Sequence, residues 1–229
     1  MLNKTHQSGL TDEVATVPFS RRKFLGYVGA TSALIATAGA SCKKAKDIVN
    51  GIVLGSGDIG ILNYAYTLEQ LEAAFYIMVV ANPYSKITGQ EKTYLTDVRN
   101  HEVAHREFFK AVLGGNAIPQ LEFNFSSVDF HSRESVLKTA KTFEDLGVSA
   151  YNGAGPYISN PAYLTAAGKI VSVEARHAAL IRELLQLNSF ADKSVVNDMG
   201  LDVSNPPAVV LLAAAPYLIT KIDTNHLPF

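Results

Sequence analysis

The sequence contains the pattern Glu-x-x-His twice, at Glu102–His105 and at Glu174–His177, and both copies lie in long segments whose apolar residues recur at helical spacing. A spacing of three residues places the glutamate and the histidine of each copy on one face of a helix. A helix that turns such a polar face inward needs a partner for it. The doubled pattern therefore favours a fold that brings these helices together around a shared polar site.

Two further helical segments each carry a glutamate with a tyrosine seven residues later, Glu69 with Tyr76 and Glu144 with Tyr151. Seven residues are close to two helical turns, so each tyrosine is expected on the same helix face as its glutamate. Each of these segments precedes one Glu-x-x-His segment along the chain. The chain thus contains two copies of one helical pair, although the surrounding sequence differs.

The apolar periodicity predicts four long helices, at residues 58–81, 90–113, 132–151 and 161–187. A short link joins the first two, which should therefore lie antiparallel. Residues 114–131 lack a helical pattern, alternate in polarity at 121–125, and are long enough to cross the bundle. One more short helix is predicted at 207–218. This order predicts an all-α fold, a four-helix bundle with one long crossover between helices two and three.

Four carboxylates and two imidazoles inside such a bundle can hold two divalent metal ions. Two carboxylates can bridge the ions, and four negative charges balance two doubly charged cations in a buried site. Without metal, the carboxylates would repel one another and some would take up protons. A cysteine-based zinc or iron–sulfur site is excluded, because Cys42 is the only cysteine of the 229 residues.

Five stretches carry a resemblance to a known family, namely Leu62–Ala65, Leu71–Tyr76, His101–His105, Glu144–Tyr151 and Glu174–His177. Residues 58–187 resemble the ferritin-like superfamily of di-iron and di-manganese carboxylate proteins, and look most like exported bacterial members related to the desiccation-related group. The resemblance implies a ferritin-like bundle that binds two Fe or Mn ions. The ligands that it implies are Glu69, Glu102, His105, Glu144, Glu174 and His177.

Two assignments in this set leave alternatives open. Glu72 also lies near the inward face of the first helix, but the repeat favours Glu69, since the position that matches Glu72 in the third helix is Gly147. Tyr76 and Tyr151 are candidate catalytic residues with a redox role, or ordinary core residues whose hydroxyl groups are hydrogen-bonded.

The first copy also reads His-Glu-x-x-His, the zinc peptidase signature, in which His101 and His105 would bind one zinc ion and Glu102 would act as the base. That interpretation leaves the second Glu-x-x-His and the two Glu…Tyr pairs without a function. The bundle predicts about two Fe or Mn ions per chain, and the peptidase predicts one zinc ion.

The expected function is redox chemistry with dioxygen or peroxide, as an oxidase, a peroxidase or a catalase-like protein in stress protection. The alternative is a non-enzymatic envelope stress or structural protein, in which metal mainly stabilises the bundle. Iron storage is a poorer match, because it needs a hollow cage of many chains, and a lipid anchor and a long tail would be hard to accommodate in such a cage.

Nucleic acid is excluded as the main partner, since the net charge is -1. An oligomer is compatible with the sequence.

Residues 1–41 are predicted to be an export signal, because Ser20–Leu25 resembles the twin-arginine pattern and an apolar run follows it. Two cleavage patterns compete at its end. Residues 38–40 fit a small-x-small site that releases a soluble product, whereas residues 39–42 resemble a lipobox that would attach lipid to Cys42. Either reading predicts the periplasm or cell envelope, with a possible membrane anchor.

The predicted domains follow from these boundaries: a signal at 1–41, a linker at 42–57, the bundle at 58–187 and a C-terminal extension at 188–229.

Overall fold

A computed structural model describes residues 51–227 of the chain. The α-helices are α1 (Gly57–Ala81), α2 (Gly89–Leu113), α3 (Arg133–Ala154), α4 (Pro161–Leu185) and the short α5 (Pro207–Ala214). Two short strands, β1 (Ile52–Val53) and β2 (Ile222–Asp223), pair in parallel. The predicted all-α bundle with a long second connection is confirmed. The predicted export signal and Cys42 lie outside the described residues.

Local sequence signals set the starts of the long helices. The Thr88 side chain accepts a hydrogen bond from the backbone of Glu91, whose carboxylate in turn accepts one from the Thr88 backbone, and this capping box starts α2. Asn160 caps α4 and Pro161 occupies its first turn, where the missing N–H leaves no bond unmade. The predicted starts at 90 and 161 therefore agree with the structure to within one residue.

Helix α1 packs along α2, and α3 packs along α4. Buried amides of α1 fix the crossover that runs over it. Asn63 donates to the carbonyl group of Leu54 at 2.8 Å and accepts from the backbone N–H of Ile118 at 3.0 Å. Gln70 accepts from the backbone N–H of Leu121 at 2.9 Å. These bonds satisfy backbone groups of the irregular segments that lie against α1. Because those segments cover it, α1 is buried on nearly all sides.

The extension after α4 folds back over the bundle. The alternating segment of the crossover forms an isolated antiparallel bridge between Phe123 and Leu218 rather than a longer strand. Helix α3 extends beyond the predicted end at residue 151 and includes Gly153, against which the backbone of Asn205 packs. A Cβ atom at position 153 would lie 1.9 Å from the Asn205 carbonyl oxygen.

Within residues 51–227, no helix combines the length with the apolar character that a membrane span requires.

Candidate metal centre

Six buried or half-buried side chains from the four long helices meet in the middle of the bundle. They form two groups, in each of which the ligand atoms lie within 4.8 Å of one another. The first group consists of Glu69, Glu102, His105 and Glu174, and the second of Glu102, Glu144, Glu174 and His177. Glu102 and Glu174 belong to both groups. All six residues that the resemblance implied as ligands are thus brought together.

The first group is centred on His105, whose ring nitrogen Nδ1 lies among three carboxylates. It is 2.8 Å from Oε1 of Glu174, 3.4 Å from Oε2 of Glu69 and 3.5 Å from Oε2 of Glu102. Its nearest carboxylate comes from α4, in the opposite helical pair. The group therefore depends on the packing of the two pairs against each other.

The second group repeats this arrangement around His177. Its Nδ1 atom lies 2.8 Å from Oε1 of Glu102, 3.4 Å from Oε2 of Glu144 and 3.8 Å from Oε2 of Glu174. Here again the nearest carboxylate comes from the other pair. The repeat in the sequence therefore becomes an approximate twofold arrangement, in which Glu69 corresponds to Glu144 and Glu102 corresponds to Glu174.

Apart from the histidine–glutamate contacts within the cluster, the atoms that face one another in it lack hydrogen-bond partners. They are Glu69 Oε2, both oxygens of Glu102, His105 Nδ1, Glu144 Oε2, both oxygens of Glu174 and His177 Nδ1. The side chains of the four glutamates have no solvent-exposed surface. A buried polar atom without a partner costs about 1–3 kcal/mol, and more when it is charged. Eight such atoms that converge in one place fit the donor set of bound cations.

The tyrosines bind the outer glutamates across the bundle. The Tyr76 hydroxyl group donates to Oε1 of Glu144 at 2.5 Å, and the Tyr151 hydroxyl group donates to Oε1 of Glu69. Each tyrosine, one on α1 and one on α3, therefore binds the glutamate of the other of these two helices, and not the glutamate seven residues before it in its own helix. Each bond occupies one carboxylate oxygen and leaves the other, Oε2, facing the cluster.

Burial and mutual repulsion make the cluster electrostatically unfavourable by itself. Burial, reinforced by the charge of Glu174, raises the pKa of Glu102 to about 8. Burial also raises the pKa of Glu144, to about 7, although His177 opposes the shift. Burial lowers the pKa of His105, but contacts with Glu102, Glu174 and Glu69 outweigh it and raise that pKa to about 12. The histidines therefore act as cations when no metal neutralises the carboxylates.

Glu72 is a fifth buried carboxylate, and it belongs to neither group. Of the two, only Glu69 belongs to a group of side chains that could hold a metal ion. Burial and the charge of Glu174 raise the pKa of Glu72 well above its ordinary value. A Cβ atom at Gly147 would lie 3.0 Å from Oε1 of Glu72, so the glycine provides the space that this carboxylate occupies.

His101 makes a contact that the sequence did not reveal. Its Nδ1 atom lies 2.9 Å from Nε2 of His177, on the side of that ring turned away from the cluster. His101 is in neither ligand group, and Glu102 faces both His105 and His177. This geometry does not support the zinc peptidase interpretation, which needs His101 and His105 on one ion. The His-Glu-x-x-His pattern was nevertheless the signal that set His101 apart.

Fold and cluster together define a helical-bundle protein with a buried cluster of acidic and histidine side chains that could hold metal ions. A family model described as a ferritin-like domain matches residues 57–187, more than half of the chain. The chain therefore belongs to the ferritin-like domain family. No curated protein matches it.

Proposed function

We propose that the cluster is a two-metal carboxylate centre. In this proposal Glu102 and Glu174, which belong to both groups, would help to hold both ions, and Glu69 and Glu144 would each help to hold one. The observation that carries the proposal is the set of eight buried oxygen and nitrogen atoms that converge with no hydrogen-bond partner outside the cluster. The approximate twofold arrangement of the two groups supports two equivalent positions rather than one.

The donor set favours iron or manganese. The six side chains offer only carboxylate oxygens and imidazole nitrogens, a mixture that suits these metals better than it suits thiolate-binding ions. Four carboxylates balance two doubly charged cations, which offsets the burial of negative charge and the repulsion that raise the pKa values of Glu102 and Glu144. Metal binding should therefore stabilise the fold as well as supply chemistry.

The chemistry that we propose is reaction with dioxygen or a peroxide. Iron or manganese would supply exchange between the 2+ and 3+ states when bound. The four carboxylates would stabilise the higher charge, and Tyr76 and Tyr151 would hold the outer pair in place. Phe75 and Phe143 pack in a T-shaped contact beside Tyr76, so apolar side chains keep water from this end of the cluster.

A structural role for the metal is the second candidate, and the burial of the cluster favours it. The ligand glutamates have no exposed side-chain surface, and the ring of His105 is only 12% exposed. A site so closed to solvent suits an ion that ties four helices together without turnover.

Peroxide consumption by the metal-loaded protein distinguishes the two candidates. Purified protein would be loaded with Fe2+ or with Mn2+, and its metal content would be measured before the assay. We expect turnover that is lost in the Glu174→Ala, His177→Ala double variant and kept in His131→Ala, which changes an exposed histidine away from the cluster. Full metal occupancy without turnover of peroxide or dioxygen would refute the redox proposal and support the structural one.

We also propose that the protein is exported and acts in the periplasm or cell envelope. The Ser20–Leu25 motif supports twin-arginine export, a route for folded proteins, so the metal could be loaded before export. The position of Cys42 directly after the apolar run supports a lipid anchor. The mass of the mature N-terminus tests both points, since a lipidated Cys42 and a soluble product cleaved after Ala40 differ in mass.

A further inference from the structure

His101 lies next to Glu102 on α2, and its ring meets the ring of His177 from α4. The two rings are nearly parallel, with an angle of 8° between their planes and 5.1 Å between their centroids. The 2.9 Å between His101 Nδ1 and His177 Nε2 is shorter than the contact distance of rings stacked face to face. The rings therefore meet edge to edge, with the distance of a nitrogen–nitrogen hydrogen bond.

This contact decides which nitrogen of His177 carries hydrogen when a metal is bound. Nδ1 faces the cluster, 2.8 Å from Glu102 and 3.4 Å from Glu144, so it is the nitrogen that would bind metal. A metal-binding nitrogen carries no hydrogen, so the hydrogen of the neutral ring must lie on Nε2. Nε2 then donates to Nδ1 of His101, which accepts with its lone pair.

The other half of the cluster lacks such a partner. In the second Glu-x-x-His copy, the residue that corresponds to His101 is Val173, which can neither donate nor accept through its side chain. Within residues 51–227, the only close partners found for His105 are glutamates of the cluster. The His105 ring is also more exposed than the ring of His177, at 12% against 5%.

We propose that His101 is a positioning residue that holds His177 in its metal-binding form, and that it thereby makes the two metal positions unequal. This inference rests on the proposed two-metal centre. Loss of a hydrogen-bond partner behind a metal-binding histidine typically weakens metal affinity about 10- to 100-fold. The position at His177 should therefore bind more tightly than the position at His105 and fill first.

Co2+ titration in two backgrounds tests this inference, because the visible absorption of Co2+ reports ligand geometry. His105→Ala leaves the His177 position, and His177→Ala leaves the His105 position. In the His105→Ala background, we expect His101→Ala to weaken Co2+ binding about 10-fold or more. His101→Gln should restore most of the affinity, since its amide oxygen can accept the same hydrogen bond. Val173→Ala is the matched control, and it should leave Co2+ affinity unchanged in both backgrounds.

The outcomes separate this inference from the proposed centre. If wild-type protein binds two Co2+ ions and His101→Ala leaves the His177 position unchanged, His101 has no positioning role. Equal weakening in both backgrounds, or no rescue by His101→Gln, would also overturn the inference, because a general structural effect would then explain the loss. If wild-type protein binds no Co2+, Fe2+ or Mn2+, the proposed centre itself is refuted. Thermal unfolding of each metal-free variant verifies that it is folded.

Discussion

Each tyrosine donates a hydrogen bond to the glutamate of the other helix, so we expect Tyr76 to affect metal affinity at the Glu144 position and Tyr151 to affect it at the Glu69 position. Tyr76→Phe removes the hydroxyl group that donates to Glu144 and keeps the ring, which packs 5.1 Å from the ring of Phe75. A hydrogen bond to a charged group contributes about 1.5–3 kcal/mol. Since about 1.4 kcal/mol corresponds to a tenfold change, metal affinity at the Glu144 position should fall about 10- to 100-fold.

Titration with Mn2+ measures this effect, followed by the electron paramagnetic resonance signal of the free ion. In a His105→Ala background, which leaves the Glu144 position, Tyr76→Phe should weaken binding and Tyr151→Phe should not. In a His177→Ala background the two variants should exchange roles, since Tyr151 donates to Glu69.

The reasoning is refuted if each tyrosine affects the position of the glutamate on its own helix, or if neither variant alters Mn2+ affinity. Turnover is measured in the Tyr76→Phe and Tyr151→Phe single variants, which keep both histidines. A fall in turnover there without a fall in Mn2+ affinity would instead support the redox role predicted for these tyrosines.

Three further predictions concern stability. Gly153→Ala should destabilise the protein by about 2 kcal/mol or more in urea unfolding, because its Cβ atom would lie 1.9 Å from the carbonyl oxygen of Asn205. Gly168→Ala is the control, since a Cβ atom at this position within α4 would meet no atom beyond its own stretch of helix within 4 Å, and it should stabilise the protein by about 0.5–1 kcal/mol. Equal effects of the two substitutions would contradict the packing described. Glu72→Gln should raise the melting temperature of the metal-free protein at pH 8, since it removes a carboxyl group whose charged form is disfavoured by burial in the folded state. It should leave metal stoichiometry unchanged, and loss of one ion would make Glu72 a ligand. The raised pKa of Glu102 means that the folded state holds a proton that the unfolded state releases, so the melting temperature of the metal-free protein should fall as pH rises from about 4.5 to about 8. The metal-loaded protein should show no such fall, because metal displaces that proton.

The helices could be predicted from sequence because their signals are local. The capping box of Thr88 and Glu91 and the Asn160–Pro161 pair mark helix starts within a few residues of chain. The end of α3 could not be predicted, since Gly153 normally signals a stop. In the folded chain it is a helical residue that admits the distant backbone of Asn205.

The convergence of the six side chains could be predicted because each half of the cluster repeats a spacing within one helix and the whole pattern resembles a known family. The hydrogen bond between Tyr76 and Glu144 could not be predicted, because it depends on how α1 packs against α3. The spacing within one helix shows only that each side chain points inward. The same limit applies to His101, whose contact with His177 joins α2 to α4. Spacing along a helix identifies which side chains point inward, and only the packing of the pairs decides which of them meet.

Metal analysis of the protein purified from its native compartment tests the central claim most directly. Elemental analysis by mass spectrometry, with protein concentration measured on the same sample, would give the number of ions per chain. The proposed centre predicts about two Fe or Mn ions per chain, and fewer in the Glu174→Ala, His177→Ala variant. A single zinc ion per chain, or no metal even after incubation with Fe2+ and Mn2+, would contradict it.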